Sequence, residues 1–257
     1  MAASKDRSAP DRPARVGRLD RLDALRGLAM VWMTAFHFSF DLNYFGWIRQ
    51  DFYRDPVWTW QRTVILSLFL LCAGAGQAIA SHQGQSWPRF WRRWAQVAGC
   101  ALLVSAGSYV MYPQSFIYFG VLHGIAVMML IVRLTAGWGA WLWLLGALAI
   151  ALKFVAAGAI EGDAALQFLN TKPWSWLGLI SVKPVTEDYV PLIPWLAVMW
   201  WGAAAATWSL RQRPWLLTAP LPRPLRWLAL LGTWSLLYYL LHQPLMIGAL
   251  ELVQRLR

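Results

Sequence analysis

The sequence predicts an all-α protein, a polytopic bundle of transmembrane helices with its N-terminus in the cytosol. Its residues are 58% hydrophobic and only 14% charged, too little charge for the surface of a soluble protein of this size. The apolar residues form runs of about 20 residues, the length that crosses a bilayer as a helix. The basic residues fall mainly between alternate runs, as the positive-inside rule expects of cytosolic loops.

Seven apolar runs are candidate crossings. They cover residues 24–43, 58–81, 94–112, 116–133, 137–158, 191–209 and 226–249. The third, fourth and sixth are short for a span, so we expect them to be less tilted or flanked by anchoring residues. Seven crossings place the C-terminus outside, where Arg255 and Arg257 fit the charge rule poorly. An eighth crossing or a re-entrant segment within 160–190 therefore stays open.

The runs predict a single transmembrane domain over residues 18–257, preceded by a disordered basic tail over residues 1–17. The tail is polar and contains proline, and no small-residue cleavage site follows it, so we expect no signal peptide. Cys72 and Cys100 lie within apolar runs and predict packing residues rather than a disulfide. The segment CAGAG (72–76) predicts a close approach by a neighbouring helix.

The net charge of +11 does not indicate a nucleic-acid partner, because positively charged cytosolic loops account for it. The expected partner of the helices is the lipid bilayer. The oligomeric state is not determined by the sequence.

The first run carries three polar residues on one helical face. Arg26, His37 and Asp41 are separated by spacings that return a side chain to nearly the same face of an α-helix, and the stripe is roughly 22 Å deep. A carboxylate can fix one histidine tautomer and leave the other ring nitrogen as a general base. We therefore predict that Asp41 orients His37 as the catalytic base. The alternative, that Asp41 lies at the interface and never touches His37, stays open.

Arg26 lies at the cytosolic boundary of this stripe, three positions after Asp23. Such a pair is common on helix surfaces, but arginine also suits phosphate recognition. A phosphorylated donor that reaches from Arg26 to His37 must be long and thin, and coenzyme A has that shape. We therefore predict Arg26 and Asp23 as the binding residues for an acyl-coenzyme A donor.

Further polar residues lie within or at the outer ends of later runs, where lipid disfavours them and function is the usual reason for them. The predicted lining of a substrate pocket is Arg62, His123, Asp188, Tyr189, Tyr239, His242 and Gln243. Snorkelling to the headgroups is an equal alternative for Arg62, and a hydrogen bond to a backbone carbonyl is the structural alternative for His123. The long segment 159–190 is expected to be a lid or binding element.

Three intramembrane histidines and Asp41 raise the alternative of a zinc site. No close ligand spacing supports it, so we expect no metal. His82 lies near a loop and is expected to be solvated.

The opening segment RLDRLDALRGLAMVWMTAFHFSFDL (18–42) closely resembles that of the bacterial heparan-alpha-glucosaminide N-acetyltransferase-like catalytic-domain family of membrane proteins. The spacing from Arg26 to His37 also resembles the first-helix motif of type 3 membrane acyltransferases. The segments FGVLHGIA (119–126), DYVPLIPW (188–195) and SLLYYLLHQP (235–244) are similar to later landmarks of the first family, in the same order.

The resemblance implies a multi-pass acyltransferase of the bacterial inner membrane. It implies transfer of an acyl group, expected to be acetyl, from cytosolic acyl-coenzyme A to a sugar or glycolipid hydroxyl or amine at the outer face. His37 matches the motif histidine and would be the base or acyl-relay group, and Arg26 would serve the donor. The lysosomal member carries asparagine where this chain has His37, so glucosamine is not carried over as the acceptor.

Two other functions are weighed against acyl transfer. A proton-coupled transporter or flippase for a small solute would use the histidines and Asp41 as a proton relay, but we detect no internal repeat of the kind common in transporters. A non-catalytic membrane scaffold would leave the polar stripe of the first helix without a purpose.

Overall fold

The computed structural model describes residues 19–256, and within that range the all-α prediction is confirmed. No described residue lies in a β-strand, and a single isolated bridge joins Phe119 to Tyr189. In chain order the helices are α1 (Asp20–Tyr44), α2 (Pro56–His82), α3 (Trp87–Met111), α4 (Val121–Thr135), α5 (Trp141–Gly162), α6 (Lys172–Ser175), α7 (Leu192–Gln212), α8 (Trp215–Thr218), α9 (Arg226–Thr233) and α10 (Ser235–Arg255). The 3₁₀ turns are Ala136–Trp138, Ala164–Asn170 and Arg223–Leu225. The predicted tail, residues 1–17, lies outside the described residues.

Five helices of the described chain are long and apolar enough to cross a membrane. They are α2, α3, α5, α10 and α4 with the 3₁₀ turn that extends it to Trp138. The 25 residues of α1 and the 21 of α7 also suffice in length, but polar side chains make α1 less apolar. The helices therefore support a multi-pass membrane protein, while seven crossings and a cytosolic N-terminus stay predictions.

The third and fourth helices differ from the predicted runs. Helix α3 begins at Trp87 rather than at residue 94 and has 25 residues, so the prediction of a short third span is wrong. Helix α4 begins only at Val121, because the residues before it pair with the segment that precedes α7. In that pairing the Glu187 N–H donates to the Ser115 carbonyl at 2.9 Å.

The predicted last run is two helices. The backbone breaks between α9 and α10 at Trp234, with φ −96° and ψ 14°. Between Asp163 and Pro191 the helices have seven residues (Ala164–Asn170) and four (Lys172–Ser175). Both are far shorter than the roughly 20 residues of a helical span, so this segment does not supply an eighth helical crossing.

Helices α1 and α2 are antiparallel, so the start of α1 lies beside the end of α2. The Trp32 indole N–H donates to Oε1 of Gln61 at 3.0 Å, and a Cβ on Gly76 would lie 4.0 Å from Nη2 of Arg26. Near the start of α1, the Arg21 guanidinium donates to the Ala219 carbonyl after α8 at 3.1 Å. We call this end of the bundle, which holds the arginines that flank α1, α3 and α8, the basic end.

The opposite end, which we call the loop end, holds the segments 45–55, 112–120 and 163–191. Helices α1 and α10 both run from the basic end towards the loop end, since residues 34, 37 and 41 of α1 contact residues 238, 242 and 243 of α10 in that order. The same direction is required of the first and seventh crossings of an alternating bundle.

Helices α2 and α7 touch backbone to backbone. A Cβ at Gly74 of α2 would collide with the carbonyl of Met199, and one at Gly202 of α7 would collide with that of Leu71. Small residues permit such approach, and dispersion contacts along the seam then hold the helices together without a hydrophobic driving force. The close approach predicted for residues 72–76 is confirmed at Gly74.

We expect Gly74→Ala to destabilise the protein by about 1–3 kcal/mol, because overpacking must push α2 and α7 apart. The matched control is Gly107→Ala on α3, where an added Cβ meets open space and alanine favours the helix by up to about 1 kcal/mol. Thermal unfolding in detergent, followed by tryptophan fluorescence, measures both. Equal melting temperatures for the two variants would contradict the packing assignment.

Candidate active site

Two histidines from different helices meet in the middle of the bundle. The Nδ1 atom of His37 on α1 lies 2.8 Å from Nε2 of His242 on α10. Their rings are nearly parallel, with 13° between the planes and 5.1 Å between the centroids. His242 is buried, with 7% of its surface exposed, so this hydrogen bond is shielded from bulk solvent.

Backbone contacts on α10 determine which nitrogen carries the proton. Nδ1 of His242 lies 2.8 Å from the carbonyl oxygen of Tyr239, and a carbonyl only accepts, so this nitrogen is the donor. In the neutral ring Nε2 of His242 is then the acceptor, and the His37 Nδ1–H must donate to it. Nε2 of His37 is left with its lone pair, and no described residue bonds to it. The chain of hydrogen bonds therefore makes Nε2 of His37 a base.

His37 lies deep among the helices and still keeps accessible surface. Tyr239 also lies deep among the helices and is only partly buried. Its phenol oxygen has no hydrogen-bond partner among the described residues, and it is not sealed from solvent. His37 and Tyr239 are thus both packed among helices and only partly buried.

Asp41 does not orient His37, which corrects the predicted pair. Oδ1 of Asp41 accepts from the side-chain amide Nε2 of Gln243 at 2.7 Å, and His37 bonds to His242 instead. The two pairs are neighbours: His37 and Asp41 are one turn apart on α1, and His242 and Gln243 are consecutive residues of α10. An aspartate four residues from a histidine shares its helical face, but here the neighbouring helix supplies a partner to each residue.

The residues beneath the histidine pair had escaped the sequence analysis. Tyr238 stacks on His242 with 4° between the ring planes, and its hydroxyl lies 2.6 Å from Oγ1 of Thr34. The Thr34 hydroxyl donates to the Met30 carbonyl at 2.9 Å, so Tyr238 is the donor between them. The paired tyrosines before His242 in the sequence were the available signal for this support.

Arg26 extends from α1 into the gap beside α2 and α9. Its Nη1 donates to Oδ1 of Asp23 at 2.8 Å and contacts the carbonyl of Gly232 at 3.4 Å, which confirms the predicted pairing with Asp23 as a contact. Gly76 leaves room for the guanidinium. The charge of Arg93 on α3 lies close enough to interact with that of Arg26, so two guanidinium groups face this part of the basic end.

His123 belongs to a different network and has no free nitrogen. Its Nδ1 accepts from the Gly120 N–H at 3.3 Å, so its Nε2–H donates to Oγ of Ser105 at 3.1 Å. The Ser105 hydroxyl in turn donates to the Ile117 carbonyl at 2.6 Å. His123 thus holds the start of α4 against α3, and it contacts neither His37 nor His242.

Asp188 and Tyr189 hold the loop end together. Oδ2 of Asp188 accepts from the N–H of Val121, the first residue of α4, at 2.7 Å, where a carboxylate complements the helix dipole. Burial raises the pKa of the Asp188 carboxyl, while this N–H opposes the shift. The Tyr189 hydroxyl donates to the Ser175 carbonyl at 2.5 Å. Both residues pin the segment 163–191 across the end of the bundle.

Arg62 is exposed on α2 and its charge interacts with those of Lys183 and Asp188. It therefore faces the segment before α7 at the loop end. Burial, and then Arg62, lower the pKa of Lys183. Arg62 and Lys183 therefore lie near one another at the loop end, away from His37 and His242.

No group of three or more potential metal ligands occurs among residues 19–256. His82 is exposed at the end of α2. Two surface grooves lie at the loop end, one lined by residues 43–53 and the other by Tyr44, Phe45 and the end of α10. Neither is lined by His37 or Arg26.

Comparison with known proteins supplies the family. The sequence matches heparan-alpha-glucosaminide N-acetyltransferase, catalytic, over residues 18–244. Neither the curated proteins nor the solved structures include a significant match. Domains of this family use acetyl-coenzyme A as the donor, and membership implies acyltransferase activity. The match spans α1 with Arg26 and His37 and reaches α10 with His242 and Gln243, so the chain belongs to the heparan-alpha-glucosaminide N-acetyltransferase catalytic family.

Proposed function

We propose that this protein transfers an acyl group, in the first place acetyl, from cytosolic acyl-coenzyme A to a hydroxyl or amine of a sugar or glycan at the outer side of the bacterial inner membrane. The observation that carries the proposal is the hydrogen-bond chain from the Tyr239 carbonyl through His242 to His37. That chain leaves one imidazole nitrogen of His37 unprotonated, on a side chain that keeps accessible surface, and general-base catalysis requires such a nitrogen.

The donor enters at the basic end in this proposal. Arg26 lies eleven residues before His37, about 17 Å along the helix at a rise of 1.5 Å per residue. A guanidinium at that distance suits the phosphates of coenzyme A, because arginine binds phosphate through paired N–H donors. The flexible arm of the donor then brings its thioester to the imidazole.

The chemical step is a single acyl transfer. Nε2 of His37 takes the proton of the acceptor O–H or N–H while that atom attacks the thioester carbonyl carbon. The carbon–sulfur bond breaks as the tetrahedral intermediate collapses, and the thiolate leaves. The imidazolium of His37 returns the proton to the sulfur, so the products are the acylated acceptor and free coenzyme A. His242 stabilises the imidazolium by accepting from its Nδ1–H, in the role a carboxylate has in a catalytic triad.

The acceptor side of the proposal uses the loop end. In this proposal the acceptor reaches Tyr239 and Nε2 of His37, and the pair of Gln243 with Asp41 lies on the loop-end side of His242. Asp188, Tyr189 and Arg62 belong to the segments that close the loop end, and they act on the acceptor by shaping its entrance. A carbohydrate or glycolipid acceptor would enter there.

The experiment uses the full chain reconstituted in liposomes, with labelled acetyl-coenzyme A on one side and envelope glycan or glycolipid fractions on the other. We expect the label in an acceptor product, with free coenzyme A released in equal amount on the donor side. Movement of an unmodified solute with no thioester consumed would replace this function with the transporter alternative.

We expect Arg26→Ala to raise the KM for acetyl-coenzyme A by about 10- to 100-fold, because a hydrogen-bonded charge contact is worth about 1.5–3 kcal/mol. The rate at saturating donor should change much less, since Arg26 lies far from the reacting atoms. Arg211→Ala is the matched control, because Arg211 is an exposed arginine at the end of α7. A KM that stays at the unsubstituted value in Arg26→Ala would remove Arg26 from the donor site.

A further inference from the structure

The pair formed by Asp41 and Gln243 leaves two buried oxygen atoms without a partner. Asp41 is 3% exposed, and its Oδ1 accepts from Nε2 of Gln243 at 2.7 Å. The other oxygens of the same two side chains, Oδ2 of Asp41 and Oε1 of Gln243, are sealed from solvent and have no hydrogen-bond partner. In a membrane-spanning helix each such orphan is costly, and an unpaired carboxylate is the costliest form.

One proton satisfies both oxygens. A carboxylic acid has one O–H donor, and an amide has one carbonyl acceptor beside its N–H donors. An acid and an amide therefore form two parallel hydrogen bonds, with the amide N–H donating to one carboxyl oxygen and the acid O–H donating to the amide oxygen. The first of these bonds is present in the structure, and the two orphaned atoms are those that the second would join.

We propose that Asp41 is a neutral carboxylic acid whose proton is donated to Oε1 of Gln243, forming a two-point clasp between α1 and α10. The clasp adjoins the contact of His37 with His242 along the same two helices and sets their register at that point. Asp41 is thus a positioning residue, and its negative charge has no part in the chemistry. The clasp itself does not rest on the proposed acyl transfer; only its effect on rate does.

The clasp explains the residue types on both helices. A carboxylate beside the imidazole would draw the His37 proton towards itself, whereas a neutral acid bonded to Gln243 leaves His37 to His242. An apolar pair would pack the two helices but would not select one register. The acid–amide pair selects one, because both bonds form only when the two side chains are directly opposite.

The first test is infrared spectroscopy of the purified full chain in detergent, recorded as the difference between the unsubstituted protein and Asp41→Asn. We expect a protonated-carboxyl C=O band in the unsubstituted protein that moves in D₂O and is lost in Asp41→Asn, while the other carboxyl groups cancel. Gln243→Leu should retain the band but shift it, because the acid loses its partner. Absence of a carboxyl band from the difference spectrum overturns the proposal, whether water, a cation or a bare carboxylate takes its place.

The second test separates a neutral acid from a required charge. Asparagine at position 41 can form the same two bonds with Gln243, so we expect Asp41→Asn to keep the melting temperature and a transfer rate within about threefold of the unsubstituted protein. Asp41→Leu breaks both bonds, and we expect about a 10²-fold lower rate, the cost typical of a misplacement near 1 Å. Equal losses in Asn and Leu variants would overturn the proposal. The infrared result stands whether or not acyl transfer is the function.

Discussion

Replacing His37 with alanine is expected to lower the rate of acyl transfer by about 10²–10⁴, the usual contribution of a positioned general base. The hydrogen bonds of α10 leave Nε2 of His37 as the unprotonated nitrogen, and the variant removes that atom. The fold should survive, because His37 keeps accessible surface and its one hydrogen bond joins two helices that Asp41 and Gln243 also connect. The loss should therefore appear in kcat rather than in the amount of folded protein.

Liposome assays with labelled acetyl-coenzyme A measure this loss, and the chain supplies a matched control. His82 is exposed at the end of α2, so His82→Ala should turn over at the unsubstituted rate. His123→Ala tests the other deep histidine, and there we expect a lower melting temperature with a smaller effect on rate. Turnover by His37→Ala at the unsubstituted rate would exclude His37 as the base.

Replacing His242 with leucine is expected to lower kcat by about 10²-fold, although this residue does not meet the acceptor. Without an acceptor at Nε2 of His242, the His37 ring is free to carry its proton on the wrong nitrogen and to turn away from the productive orientation. Loss of the correct tautomer in a comparable triad costs even more, about 10⁴. The burial of His242 at 7% exposure makes leucine a tolerable replacement in volume and polarity.

The double variant decides whether the two histidines act as a unit. Residues that act together are strongly non-additive, so His37→Ala with His242→Leu should be about as slow as His37→Ala alone. His242→Gln should recover part of the rate, because a side-chain amide oxygen can accept from the His37 Nδ1–H. Fully additive losses would show that His242 contributes independently of His37.

The helices themselves could be predicted from apolar runs, because a chain in lipid must satisfy its backbone within each segment. The errors occur where other parts of the chain intervene. Helix α4 starts late because residues 115–120 pair with the segment before α7, a partner far away in sequence. Helix α10 is separated from α9 by a break at Trp234, two residues after Gly232, although the apolar run continues across it.

In the candidate site, positions on one helix could be predicted, but contacts between helices could not. The spacing of Arg26, His37 and Asp41 correctly places all three on the side of α1 that meets other helices. Their hydrogen-bond partners could not be inferred, because a side chain on the facing helix can bind each residue in place of its neighbour four positions away. The sequence predicted that His123 lines the substrate pocket, but its contacts with Gly120 and Ser105 occupy both ring nitrogens.

By itself, the sequence determined the class of this protein, most of its long apolar helices and the polar residues that share one face of α1, because hydropathy and helical period are properties of a single segment. Only the tertiary structure decided that His37 bonds to His242, that Asp41 bonds to Gln243 and that Asp188 caps α4. The physical reason is that a hydrogen bond depends on the partner brought within about 3 Å. In this bundle that partner lies on a helix some 200 residues further along the chain.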